Sequence, residues 1–192
     1  MNCAGACALA IGSLFVLTAL PVEAAAGAHA ARPAVWIAHD TIVDLDNLPE
    51  RYSCDDLWYK FRGVLLALGA RPDLQITLDQ CGRSPRVHLR FSLPQVVSGL
   101  DTRYASLQAV DGTLAFAAGR PAALHASDCE LVRQIKDTLL RELPVQVRSY
   151  RLACDASPTE ASRYRLSIED LRPASASDVT ADVGGQRRPS GG

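Results

Sequence analysis

Two stretches of this chain carry the same order of features. "YSCDDLWYKFRGVLLALGARPDLQITLDQC" runs from Tyr52 to Cys81, and "SDCELVRQIKDTLLRELPVQVRSYRLAC" from Ser127 to Cys154. Each has a cysteine just after a polar helix cap, an amphipathic run broken by Pro, a β-like run, and a second cysteine. If each pair of cysteines is bridged, a helix start is tied to a strand end within one short segment, and few folds accommodate that twice. Six cysteines stand in the chain. Cys3 and Cys7 precede an apolar N-terminal run, which leaves four and three possible connectivities. The matching places select Cys54–Cys81 and Cys129–Cys154. Each bridge closes a loop worth about 3–4 kcal/mol in the chain-entropy account. No C-x-x-C occurs, and no Cys-bound metal is expected.

Disulfides need an oxidising compartment, and the N-terminus supplies the reason to expect one. Ala8 to Leu20 is apolar over the length of a signal-peptide core and too short to span a bilayer. Pro21 and the A-x-A sites ending at Ala26 and Ala30 follow, although no Lys or Arg precedes Arg32. Residues 1–30 are expected to be a signal peptide, and the mature chain to be periplasmic or secreted with no membrane span. The whole chain has 20 basic and 21 acidic residues. The leader takes one acid, Glu23, and no base, so the mature chain is balanced. That excludes the strongly basic surface of a nucleic-acid binder. Most of the bases are Arg, with Lys only at positions 60 and 136, a usage typical of a GC-rich bacterial genome.

Periodicity sets out the elements. Ser53 caps a helix with Asp55 and Asp56 in its first turn, where the positive helix end favours them. Those two carboxylates are read as helix-end charges, not as an acid/base dyad. Leu57, Trp58, Phe61, Val64, Leu65 and Leu68 recur at three and four and predict one buried face; Gly69 and Pro72 stop the helix. Trp36 is expected to pack. "DLQITL" and "RVHLRFSL" alternate as strands, with Val87, Leu89, Phe91 and Leu93 inward. With a short strand near Ile42–Leu45, residues 41–94 read as β-α-β-β. Asp111-Gly112 reads as a hairpin turn between Leu107–Val110 and Thr113–Phe116. Residues 113–171 then repeat the pattern, with a capping box at Ser127 and Glu130 and Leu131, Val132, Ile135, Leu139, Leu140 and Leu143 lining the second helix. Residues 173–192 have no periodic apolar face and are expected to be a disordered tail.

The expected fold is therefore α+β: a single domain over 31–172, built from duplicated β-α-β-β units that form one antiparallel sheet with two helices packed on one face. The β-α-β-β order resembles that of small envelope modules such as POTRA-like and secretin N-domains, at the level of topology.

No P-loop, G-x-G-x-x-G or G-x-S-x-G is present, and His39, His88 and His125 lie far apart in sequence, so no catalytic residue, cofactor or metal is assigned. Arg86, His88 and Arg90 project from the outer side of one strand, and Arg163 and Arg165 from the matching strand of the second unit. These five are the candidate ligand-binding residues, for an anionic ligand or an envelope protein, and the two rows are expected to merge if the halves share a sheet. The function expected is a non-catalytic periplasmic binding or assembly module. The alternative is a small secreted hydrolase or hydrolase inhibitor.

Overall fold

The structure is a computed structural model and describes residues 30–48, 52–81, 84–98, 103–154 and 163–175. All of the expected signal peptide but Ala30, and nearly all of the expected tail, lie outside these residues. In chain order the elements are β1 (Arg32–Asp44), α1 (Cys54–Ala67), β2 (Gln75–Gln80), β3 (Arg86–Val96), β4 (Leu107–Phe116), α2 (Cys129–Asp137), α3 (Leu139–Glu142), β5 (Gln146–Ala153) and β6 (Arg163–Pro173).

The described strands form one six-stranded antiparallel sheet in the order β2-β3-β1-β4-β6-β5. Counted inward from either edge, each half contributes its second, third and first strand. The halves meet along a short seam, where β1 and β4 pair only at Arg32–Ala109, Pro33–Gln108 and Ala34–Leu107. Ala34 and Ala109 are fully buried there. By contrast β1 and β3 stay paired from Ala34–Val96 to Asp44–Arg86.

Helix α1 starts and stops where its sequence says. Ser53 Oγ accepts from the Asp56 amide at 3.1 Å, and the Asp56 carboxylate accepts from the Ser53 amide at 3.2 Å, a reciprocal cap for two helix-end donors. At the other end Gly69 takes φ +80°, with Gly69 N–H donating to Leu66 O and Ala70 N–H to Leu65 O. That is a Schellman closure, and glycine reaches its left-handed backbone without a Cβ penalty. Leu57, Phe61, Val64, Leu65 and Leu68 are buried as expected. Trp58 is not: it and Tyr59 are both exposed, and Lys60 is buried instead. Trp36 is half-buried, with the Arg71 guanidinium 5.8 Å from its ring.

Helix α2 departs from the expected cap. Glu130 bonds Arg133 and Gln134 further along its own helix, and the side chain turned back toward the preceding loop is Asp128, which accepts from the His125 amide at 2.7 Å. The helix breaks at Thr138, whose hydroxyl donates to Gln134 O at 2.7 Å, and resumes as α3. Leu131, Val132, Ile135, Leu139, Leu140 and Leu143 are nevertheless all buried. These residues, the buried face of α1, Val87–Leu93 on β3 and Tyr164–Ile168 on β6 belong to one hydrophobic core.

Both disulfides link the expected partners, Cys54–Cys81 with Cα atoms 5.6 Å apart and Cys129–Cys154 with Cα atoms 5.3 Å apart. Each stays within its own half. A second tie crosses between them. Lys60 Nζ lies 2.6 Å from Asp128 Oδ2 and donates to Ala123 O at 3.1 Å, while Tyr52 OH donates to Asp128 Oδ1 at 2.8 Å. Lys60 and Asp128 are 6% and 1% exposed, so each needs the other to offset its lost hydration.

Two expectations about strands fail. The first strand begins at Arg32, ten residues before Ile42, and the second unit's first strand begins at Leu107. Asp111-Gly112 makes no hairpin, because β4 runs through it without a turn. Gly112 stands opposite Asp170, and a Cβ there would lie 2.0 Å from Arg172 Nη2. This glycine makes room for a guanidinium laid across the strand, a use that a sequence cannot distinguish from a turn. At the end of the sheet β6 reaches Pro173, and the Ala174 amide still bonds Gln108 O at 2.8 Å, inside the segment expected to be tail.

Candidate binding surface

The inward row of β3 obliges Arg86, His88 and Arg90 to face away from the core. They do so, and β1 meets them with acids. Asp44 stands opposite Arg86, and Asp40 opposite Arg90. Arg86 donates to Asp44 at 2.6 Å (Nε–Oδ1), Arg90 to Asp40 at 2.9 Å (Nε–Oδ2), and His88 Nε2 lies 2.5 Å from Asp40 Oδ1. The His88 hydrogen bond, helped by Arg90, holds the Asp40 carboxyl below the usual carboxylate range, and Asp44 raises the Arg86 pKa. Two arginines face two aspartates, so the first half's outer row has no uncompensated positive charge. Ile42, half exposed, lies between the acids.

The two rows do not merge. Arg86 and Arg90 pair with the end of β1 far from the seam, and Arg163 and Arg165 lie beyond the end of β4 far from the seam, so the rows stand at opposite ends of the sheet. The second half is also differently furnished. Arg165 stands directly opposite Arg151 on β5, Ser167 opposite Ser149, and Arg163 opposite Ala153. Strand β4 ends at Phe116, opposite Leu166, so Arg165 lies past the end of β4 and has only β5 beside it. Among the described residues, neither Arg151 nor Arg165 has a hydrogen bond or ion pair through its side chain. Arg148, at the bulge between Val147 and Ser149, pairs with Glu169. A shallow cavity of about 470 Å³ is lined by Ser149, Tyr150, Arg151, Tyr164 and Arg165. Tyr150 is 64% exposed, with Lys136 Nζ 4.7 Å from its ring centre. Tyr164 is buried and donates to His125 O at 2.8 Å; burial, aided by the Asp128 charge, pushes its hydroxyl pKa upward.

A cleft of about 380 Å³ beside the seam contains Arg32 paired with Asp111, and Glu169, which Arg148 neutralises. Asp170 also lines it. Its carboxylate is buried without a hydrogen-bond partner; Arg172 Nε lies 3.3 Å from Oδ1 but is not aligned to donate. Burial raises the Asp170 pKa, and Arg172 opposes this only in part. His39 stacks on Phe91 with centroids 5.3 Å apart, and burial lowers its pKa. Among the described residues no three His, Cys, Asp or Glu side chains gather as a metal site, and none of the hydroxyl groups is hydrogen-bonded to His88.

The sequence reading missed Arg151, Asp170 and the Lys60–Asp128 pair. Arg151 alone had a readable signal, since "VQVRSYRLAC" pairs with "RYRLSIEDL" in the expected fold. The bulge after Val147 decides which arginine of β5 meets Arg165, and bulges leave no mark in a sequence like this one. No protein family, curated protein or solved structure matches this chain, so its likeness to POTRA-like and secretin N-domains rests on element order alone.

Proposed function

We propose that this chain is an exported, non-catalytic binding or assembly module of the bacterial envelope, and that it binds through the outer face and free edge of its second half. Export is supported by the apolar Ala8–Leu20 run with its small-residue sites and by two disulfides, which persist in oxidising compartments. A duplicated β-α-β-β origin is supported by the equivalent strand order from the two edges and the equivalent disulfides. The observation that carries the binding reading is the contrast at the outer face. Arg86 and Arg90 are closed by Asp44 and Asp40, while Arg151 and Arg165 face each other with no acid among the described residues. Strand β5 adds an open edge, exposed at nearly every position from Gln146 to Ala153. Such an edge offers unpaired backbone groups to an incoming strand. Strand β2, the other edge, is shorter, six residues against eight.

The test is a photo-crosslinking residue placed at Ser149 or at Thr77 in the chain expressed in its own host. A discrete envelope partner is expected at Ser149 and not at Thr77. Equal yields at both positions, or no discrete product at Ser149, would overturn the reading.

A further inference from the structure

Resting on that reading, we propose that Arg151 and Arg165 clamp a phosphate-type dianion, carried on an organic group that occupies the cavity around them. Directly opposed residues on antiparallel strands have Cβ atoms about 4.5–5.5 Å apart, so both guanidinium groups reach the same volume. Like charges placed this way oppose folding unless a counter-charge sits between them. The first half supplies that counter-charge from β1. The second half cannot do so from β4, which stops at Phe116. Two cations converging on one point match a doubly charged oxyanion better than a single carboxylate, and guanidinium forks match phosphate oxygens two at a time. Ser149, on the same face, brings a hydroxyl donor to the same cavity. The cavity exceeds the size of a bare phosphate and leaves room for whatever the phosphate is attached to. A phosphate monoester fits this description, either as a soluble molecule or as a lipid headgroup.

Isotope-labelled, disulfide-intact mature chain should be titrated with inorganic phosphate at constant ionic strength. Saturable shifts are expected at the Ser149 and Arg151 amides and at the Arg151 and Arg165 Nε–H signals. Arg151→Gln and Arg165→Gln should each weaken binding about tenfold or more, as expected for loss of a charge-assisted pair. The variant with Arg86→Gln and Arg90→Gln should bind like wild type. Added chloride should weaken binding by screening. Shifts that never saturate, that survive both second-half substitutions, or that fall equally with the first-half ones would overturn the clamp.

A second arm separates the sources. Co-sedimentation with phosphatidic acid vesicles but not phosphatidylcholine vesicles, lost in the Arg151/Arg165 variants, assigns the phosphate to a lipid. Phosphate binding without vesicle binding assigns it to a soluble ester. If the Ser149 crosslink persists in a folded Arg151→Gln, Arg165→Gln variant while phosphate fails to bind, the clamp is wrong and the binding-module reading stands.

Discussion

In the first half, β3 lies beside β1 along its whole length, and every arginine on its outer row finds an aspartate from that neighbour. In the second half, β6 starts before its neighbour β4 begins to cover it, and the arginine at its exposed end meets another arginine. Strand order is the same in both halves, and the cores are continuous. The difference lies in how far the first strand of each half extends. A row of charged residues on a strand is therefore not basic or acidic by itself. The length and register of the neighbouring strand decide whether its charge is available to anything outside the molecule.

That comparison sets two parts of one sheet side by side, joined over a continuous core. The hardest way to break it is at Lys60. Lys60→Met leaves the Asp128 carboxylate buried without its cation, and breaking such a pair costs about 3–5 kcal/mol. One cooperative urea transition at a much lower midpoint is expected. Two separate transitions, or a loss under about 1 kcal/mol, would show that the halves fold independently of this tie.

A second way is to remove each disulfide in turn, as Cys54→Ala with Cys81→Ala, and as Cys129→Ala with Cys154→Ala. The sequence separations are 27 and 25 residues, so the chain-entropy account predicts nearly equal losses of about 3–4 kcal/mol. A large inequality in the urea midpoints would mean that the bridges do different work, and that the halves are less equivalent than their strand order implies.

The smallest expected effect concerns pH. In the first half Asp40 and Asp56 have lowered pKa values, caused chiefly by hydrogen bonds from His88 and Ser53. They support folding above the ordinary carboxylate range, and that support is lost as pH falls through their folded values. Asp170, in the second half, has the opposite sign: burial raises its pKa, so its contribution is fully present below its unfolded value and is lost as pH rises through the folded one. Asp170→Asn should therefore flatten the decline in stability between the ordinary carboxylate range and neutrality. An unchanged slope of urea midpoint against pH would show that the Asp170 carboxylate reaches water or a partner.

The parts of this fold that were legible in the sequence are those set by short-range periodicity. Leu57, Phe61, Val64 and Leu65 on α1, and Val87, Leu89 and Phe91 on β3, each repeat at the spacing of their element, and burial follows directly. The disulfide pairing was legible because the same arrangement occurs twice. What could not be read depends on residues far apart. Lys60 is buried because Asp128, 68 positions later, is folded against it. Trp58 and Lys60 both lie near the edge of the helix's apolar stripe, and only that partner decides which turns inward. Strand β1 was read as starting too late because "RPAVWIAHD" does not alternate cleanly, with Pro33, Trp36 and His39 interrupting the pattern. With those residues unassigned, Asp40 could not be placed beside Arg90, and the outer row looked basic.

The two bridges are also local in the order of synthesis. A chain made from its N-terminus presents Cys54 and Cys81 well before Cys129 appears. Wherever oxidation occurs as the chain emerges, Cys54 and Cys81 are both present before Cys129 or Cys154 exists to compete. A Cys54–Cys81 bridge formed at that stage leaves Cys129 and Cys154 to each other. The placement of these two pairs thus lets the direction of translation separate them, where a more interleaved scaffold would require an isomerase.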